Sequence, residues 1–261
     1  MSKSIEQTLL ERRSVRRYEY DPVAEGDMDF IYAAIRNTPT SYNGQQFSVI
    51  DVTDKEVKHK LYEITGQKQI KTCSHLLVFM ADYHKMAVAW RAKGVAPSGF
   101  PHTADGYTVG VIDASLAMMS AIAAAESRSL GTCPIGYLRT ADPQRVAEVL
   151  ELPQGVFVVC GLAIGVPREL PDVKPKQPEK LVIFHDRYRS DDMAEDLLRY
   201  DREISAYNTT RAGGASDNDW ISHITDYYRE GESYNMLAAA QSRGFLDEDK
   251  GCNIFCLLKP D

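Results

Sequence analysis

Nine successive uncharged residues, Val156-Phe157-Val158-Val159-Cys160-Gly161-Leu162-Ala163-Ile164, constrain this chain more than any other stretch. An unbroken run of β-branched, aromatic and small apolar residues leaves no polar face, so it reads as a strand buried on both faces. A second buried-type strand is expected at residues 76–81, and a further strand at residues 47–52 after a polar loop. Helical periodicity predicts the other elements. A short amphipathic helix at residues 4–10 places Ile5 and Leu9 on one face, and another at residues 27–36 turns Phe30, Ile31, Ala34 and Ile35 inward. Thr53-Asp54-Lys55-Glu56 reads as a capping box opening a helix that carries Val57, Leu61 and Ile64 and ends at Gly66.

The longest helix is expected at residues 107–130. Ala114, Ala117, Ala121, Ala123 and Ala124 let neighbouring backbones approach it closely, the habit of a core or dimer-axis helix, and Gly131 is expected to end it. Asp142-Pro143 opens a further helix by N-cap and proline at the first helical position. A proline-rich arm, residues 167–178, follows the central strand and carries Lys174 and Lys176; the remainder reads as mostly helical, around residues 192–207 and 219–228. These elements make one domain over residues 1–261, with a helical excursion at about residues 190–245.

Against a formal net charge of −7, Arg12, Arg13, Arg16 and Arg17 stand within six residues around Ser14. Such crowding of like charge is unfavourable without an anion among it. Guanidinium forks beside a hydroxyl suit a phosphate; a solvated basic helix end is the plainer reading. An acidic balance argues against nucleic acid or an anionic membrane as the main partner. No apolar leader opens the sequence, and residues 109–125 carry Asp113 and two serines, too polar for a spanning helix, so a cytoplasmic protein is expected. Five scattered cysteines do not suit a disulfide framework; Cys252 and Cys256 could hold a metal or form a disulfide, but no second ligand pair with zinc spacing accompanies them. The chain has no G-x-G-x-x-G after its first strand, no P-loop, no H-E-x-x-H and no G-x-S-x-G.

Taken in order, Glu11-Arg12-Arg13-Ser14-Val15-Arg16-Arg17-Tyr18, Thr40-Ser41-Tyr42-Asn43, Gly66-Gln67-Lys68, the run from Leu130 to Arg139 and Leu170-Pro171-Asp172-Val173-Lys174-Pro175-Lys176 resemble the FMN-dependent nitroreductase superfamily, in its NADPH-preferring, oxygen-insensitive nitroreductase and flavin reductase branch. The resemblance implies an α+β fold, a mainly antiparallel sheet flanked by helices, in an interlocked homodimer with FMN at the subunit interface. By position, Arg12, Arg13 and Ser14 are expected to hold the flavin phosphate with Lys174 and Lys176. Arg16 matches a basic residue facing the N1/O2 edge of the ring, where a fixed cation favours the reduced anion. Gln67 is expected at the pyrimidine edge, Ile135, Gly136 and Tyr137 against the ring, and Thr40, Ser41 and Asn43 on the opposite subunit's share of the pocket. Arg139 and Arg211 fall to the substrate side, Arg211 by the 2′-phosphate of NADPH. Ser216 and Asp217 replace its basic companions and Tyr137 a second glycine, so NADH is admitted as an alternative donor. The implied activity is ping-pong reduction of nitroaromatics, quinones or flavins, with no side-chain nucleophile and no metal. The alternatives are a dedicated flavin or quinone reductase with weak nitro activity and a non-catalytic flavin-binding protein.

Overall fold

The three expected strands form, and an unexpected fourth joins them in one antiparallel sheet. The computed structural model describes residues 3–211 and 214–247; Cys252 and Cys256 lie outside them. In chain order the first unit contains α1 (Ile5–Leu10), α2 (Glu25–Arg36), β1 (Phe47–Val52), α3 (Lys55–Thr65), α4 (Gln69–Thr72), β2 (His75–Asp82), α5 (His84–Lys93), α6 (Ala104–Ser127), β3 (Gly131–Ile135), α7 (Tyr137–Thr140), α8 (Pro143–Val149) and β4 (Val156–Gly165). A second compact unit, Leu170–Tyr234, holds the proline-rich arm, α9 (Met193–Thr210) and α10 (Trp220–Glu232); the chain from Asn235 onward, with α11 (Met236–Ser242), returns to the first unit. The second unit begins earlier and ends sooner than the excursion expected at about residues 190–245.

Strand order is β1-β2-β4-β3, with the apolar β4 inside the sheet and buried at every position, as expected. Between Phe79 and Met80 the pairing slips: Phe79 faces Cys160 and Met80 faces Val158, so Val159 is the extra residue of a bulge. Side-chain alternation divides the core. Leu77, Phe79 and Ala81 pack under α2 and α6, whereas Leu76, Val78 and Met80 face the opposite cluster with Leu61, Ile70, Leu138 and Val146.

Several local expectations are corrected. The box at Thr53 does not form: the N-cap of α3 is Asp54, whose carboxylate accepts from the Glu56 and Val57 amides at 2.9 Å each. Gly66 does end that helix, at φ +67°. Ile5 and Leu9 are exposed, and it is Thr8 that α1 buries. On α2 the buried residues are Met28, Ile31 and Ile35, while Phe30 faces outward with the Arg128 guanidinium 4.7 Å from its ring centroid.

α6 starts and stops earlier than expected, capped by Thr103, whose hydroxyl accepts from the Gly106 amide at 3.0 Å. It is long and apolar enough to cross a membrane by length and composition, contrary to the sequence reading, yet Asp113 on it is fully buried and its alanines pack in the core beneath β2. Gly131 does not end it. Ser129, at φ +62°, makes that turn, and Gly131 opens β3, where a Cβ would stand 2.8 Å from the Val15 Cβ. Cys73, Cys133 and Cys160 are buried, and burial pushes the Cys73 thiol up to about 11 and raises the other two.

Candidate functional site

The arginine segment is fixed along the outer edge of β3. The Val15 amide donates to the Thr132 carbonyl at 2.8 Å, forming a parallel bridge at Ser14, and the Tyr18 hydroxyl donates to the Val15 carbonyl at 2.7 Å. With Val15 and Tyr18 buried, the residues between and before them turn away from the core. Arg12, Arg13 and Ser14 are half-buried, and Arg16 and Arg17 are exposed.

Partners distinguish three of the four arginines. Arg17 lies 3.3 Å from Glu169, and the Arg13 Nε donates to the Glu11 carbonyl at 3.0 Å. The Arg12 Nη1 is buried without a hydrogen-bond partner; the nearest carboxylate, Glu126, is 3.9 Å away, close enough to compensate charge but outside hydrogen-bond reach. Glu126 is itself buried and accepts from the Thr132 hydroxyl at 2.5 Å. Burial raises its carboxyl above the ordinary value, opposed by the Thr132 hydrogen bond and by the charges of Arg12, Lys3 and Arg13. The arrangement neutralises the cluster in part and leaves one buried donor unsatisfied, a combination that an anion completes.

The same edge strand carries the next candidates. Ile135 is its last residue, roughly 10 Å along the strand from Thr132, and Gly136 and Tyr137 follow as the half-buried start of α7. Gln67 lies between α3 and α4, its side-chain oxygen accepting from the Gln69 Nε2 at 2.9 Å; Ile70 on α4 packs in the cluster that holds Val15 and Ile135. Val15 thus shares one apolar cluster with Ile135 and with Ile70, whose amide donates to the Gln67 carbonyl at 3.0 Å.

Thr40, Ser41 and Asn43 do not join them within one chain. Their loop enters β1 at Phe47, opposite Ala81, the far end of β2 from His75, whose partner Ile164 also pairs with Thr132. The loop is anchored on α6: the Asp113 carboxylate accepts from the Ser41 amide at 3.1 Å and the Gln46 amide at 3.2 Å. Tyr42, Asn43 and Gln45 take left-handed conformations at φ 55°, 52° and 53°. Three such residues in four cost conformational energy that a built loop must offset.

Arg139, expected on the substrate side, makes a main-chain contact in the structure. Its Nη1 donates at 2.5 Å to the carbonyl of Val159, the bulged residue of β4, and so closes a ladder that the bulge leaves open. In the second unit, Lys174 and Lys176 are exposed on the arm, which the Tyr200 hydroxyl tethers to α9 by donating to the Pro175 carbonyl at 3.2 Å. Arg211 follows α9, and its Nε donates to the Gly214 carbonyl at 2.9 Å. Among the described residues no group of His, Cys, Asp and Glu side chains is placed to hold a metal.

A model of the nitroreductase family matches residues 9–166, and one of the nitroreductase family C-terminal domain matches residues 174–248. A Bacillus subtilis protein named FMN reductase (NAD(P)H) is 35% identical over 92% of this chain and 97% of its own length. An oxygen-insensitive NADPH nitroreductase of Salmonella typhimurium is 34% identical over 86% of this chain and 90% of its own. Among solved structures, the NfrA1 nitroreductase of B. subtilis superposes with a TM-score of 0.88 at 29% identity over 93% of this chain and 99% of that one. The NADPH:FMN oxidoreductase of Vibrio harveyi, complexed with NAD+, does so at 0.81 and 27% identity over 93% and 98%. With both family models matched in order across almost the whole sequence, the chain belongs to the nitroreductase family.

Proposed function

We propose that the chain is an FMN-dependent NAD(P)H oxidoreductase that reduces nitroaromatics, quinones or flavins. The buried, unpartnered Arg12 Nη1 beside Ser14 carries this reading, because it is a fixed cationic donor awaiting an anion. The residues fit FMN: Arg12, Arg13 and Ser14 hold the phosphate, Gln67 presents an amide at the rim, and Ile135, Gly136 and Tyr137 supply the wall against a flat ring. When bound there, FMN would supply two-electron transfer from NAD(P)H to the acceptor. Arg16, exposed and cationic, favours negative charge on a ligand near it. Arg139 is assigned to the substrate side on the family resemblance, and its bond to the Val159 carbonyl also ties α7 to β4.

Lys174 and Lys176 are assigned to the phosphate, and Arg211 to the 2′-phosphate of NADPH, on the family resemblance. Ser216 and Asp217 beside Arg211 leave NADPH the better donor by a modest margin. The test is spectroscopic. Purified protein is yellow, and NADPH bleaches it without air, faster than NADH does. Colour without bleaching assigns a flavin-binding role instead, and a colourless protein that takes up no FMN removes the proposed function.

We infer also that the protein works as a cytoplasmic homodimer. Ile112, Leu116 and Met119, spaced along α6, are 47%, 43% and 40% exposed while its alanines face the core, and Phe30 adds to this apolar surface. Thr40, Ser41 and Asn43, set apart from Arg12 within one chain, then serve the partner's cofactor. Light scattering at low micromolar concentration gives twice the 29.2 kDa chain mass; an active monomer contradicts the shared site.

A further inference from the structure

Glu126 is a buried acid that the proposed function leaves without a role. It is the last residue but one of α6, where the helix dipole disfavours a negative charge, and a carboxylate taken out of water there is costly unless its charge is met. Its Oε1 accepts from the Thr132 hydroxyl at 2.5 Å and stands 3.9 Å from the Arg12 Nη1. The Thr132 carbonyl accepts from the Val15 amide at 2.8 Å, so the residue that holds the carboxylate also holds the arginine segment. Lys3 is brought to the same end of α6, its amide donating to the Ser127 carbonyl at 3.0 Å.

Arg12 is the cation nearest this carboxylate. Its side chain is 26% exposed, although Nη1, the nitrogen that stands by Glu126, is sealed from solvent. One guanidinium therefore meets the charge of an inner carboxylate and is also the group offered to an incoming anion. Burial raises the Glu126 carboxyl above its ordinary value, against the Thr132 hydrogen bond and the charges of Arg12, Lys3 and Arg13; the buried Tyr18 hydroxyl is the further titratable group that feels it among the described residues. A flavin phosphate adds a charge of about −1.5 to −2 beside the cation that now offsets Glu126.

We propose that Glu126 is the proton partner of the phosphate site: as a carboxylate it balances Arg12 while the site is empty, and it takes up a proton when a flavin phosphate binds. An O–H bond forms on the Glu126 carboxyl with a proton drawn from water or buffer. Phosphate and carboxylate compete for one guanidinium, and a second anion nearby makes a buried acid harder to ionise. The sign follows from linkage. A ligand that raises the pKa of a carboxyl takes up protons as it binds, so affinity is greatest where Glu126 is already protonated and falls as pH rises through its range. The inference deepens the proposed function by naming what balances the phosphate site, and it rests on that reading for the phosphate at Arg12.

The test titrates the FMN-free protein and Glu126→Gln with FMN and with riboflavin, which lacks the phosphate, in phosphate-free buffers from about pH 5 to about pH 8. Glutamine keeps an acceptor for Thr132 and does not ionise. The ratio of FMN dissociation constants, unaltered protein over variant, is expected to grow roughly tenfold across that range, the change that a pKa rise of about one unit produces. Ionisation of the FMN phosphate is common to both proteins and cancels from the ratio. For riboflavin the ratio stays flat. A flat ratio for FMN overturns the proposal, and so does the same slope for both flavins, because a purely structural Glu126 acts on both alike. If Glu126→Gln does not fold, calorimetry of the unaltered protein in buffers of different ionisation enthalpy decides, at about pH 7.5, where free FMN phosphate is almost fully ionised. Proton uptake with FMN and none with riboflavin upholds the proposal, and equal uptake overturns it. Equal FMN affinity in Arg12→Gln and the unaltered protein overturns this inference together with the phosphate reading; a flat ratio with Arg12→Gln weakened overturns this inference alone.

Discussion

Arg12→Gln lowers the affinity of the FMN-free protein for FMN by roughly ten- to a hundredfold, because a charge-assisted hydrogen bond to phosphate contributes about 1.5–3 kcal/mol. The expectation is specific to this arginine. Its Nη1 is the buried donor without a partner, and Glu126 at 3.9 Å holds its charge without occupying its hydrogen. Arg12→Lys keeps the charge but loses the planar fork, and so recovers only part of the affinity. Arg17→Ala changes affinity by less than about threefold, since that side chain is exposed and its pairing with Glu169 is a surface contact. Fluorescence titration with FMN measures all three. Equal affinities for Arg12→Gln and the unaltered protein would remove the phosphate from this edge.

Phe245→Ala destabilises the fold by about 3–5 kcal/mol, the loss typical of a buried aromatic cut back to a methyl group. Phe245 is fully buried, and its ring meets those of Tyr83, Tyr107 and Phe157 at centroid distances of 6.0, 5.9 and 6.0 Å. Three neighbours lose an edge or tilted partner at once, and surrounding rings are too stiff to fill the space. Tyr188→Ala, on a residue 72% exposed, costs less than about 0.5 kcal/mol. Urea unfolding distinguishes the two. A cost below about 1 kcal/mol for Phe245→Ala would mean that the segment returning after Tyr234 only decorates the sheet unit.

Much of the sheet was legible because β4 and β2 carry apolar runs that need burial whatever surrounds them, and β1, with Ser48 and Asp51 among its apolar residues, follows a polar loop that marks its start. β3 was not. With Gly131 and Pro134 among its five residues it has poor strand propensity, and it is a strand because β4 offers it an edge. The arginine cluster was legible as an excess of like charge, but its counter-ion was not. Glu126 sits near the end of an expected helix, where a charge ordinarily meets solvent, and only the placement of Thr132 and the arginine segment buries it. Arg139 was assigned by its place in a motif. Its actual partner is the carbonyl of a bulge, and Val159 is as apolar as its neighbours, so nothing in the sequence marks where the ladder slips. For Ile5, Leu9 and Phe30, periodicity identifies an apolar face without saying what covers it.

The sulfur chemistry of the core bears on how such an enzyme survives its own turnover. Quinones and the partly reduced forms of nitro compounds are electrophiles, and the group in a protein that they attack most readily is thiolate, not thiol. With its thiol pushed up to about 11, Cys73 is ionised to roughly one part in ten thousand at pH 7, and burial raises Cys133 and Cys160 in the same direction. Cys133 stands on the edge strand between Thr132 and Ile135, beside the proposed route of reactive molecules, yet its sulfur lies inside the apolar cluster under the sheet. Within the described residues, the buried cysteines therefore offer no ready thiolate, and the packing that holds the sheet together also shields their sulfurs from electrophiles formed at the proposed site.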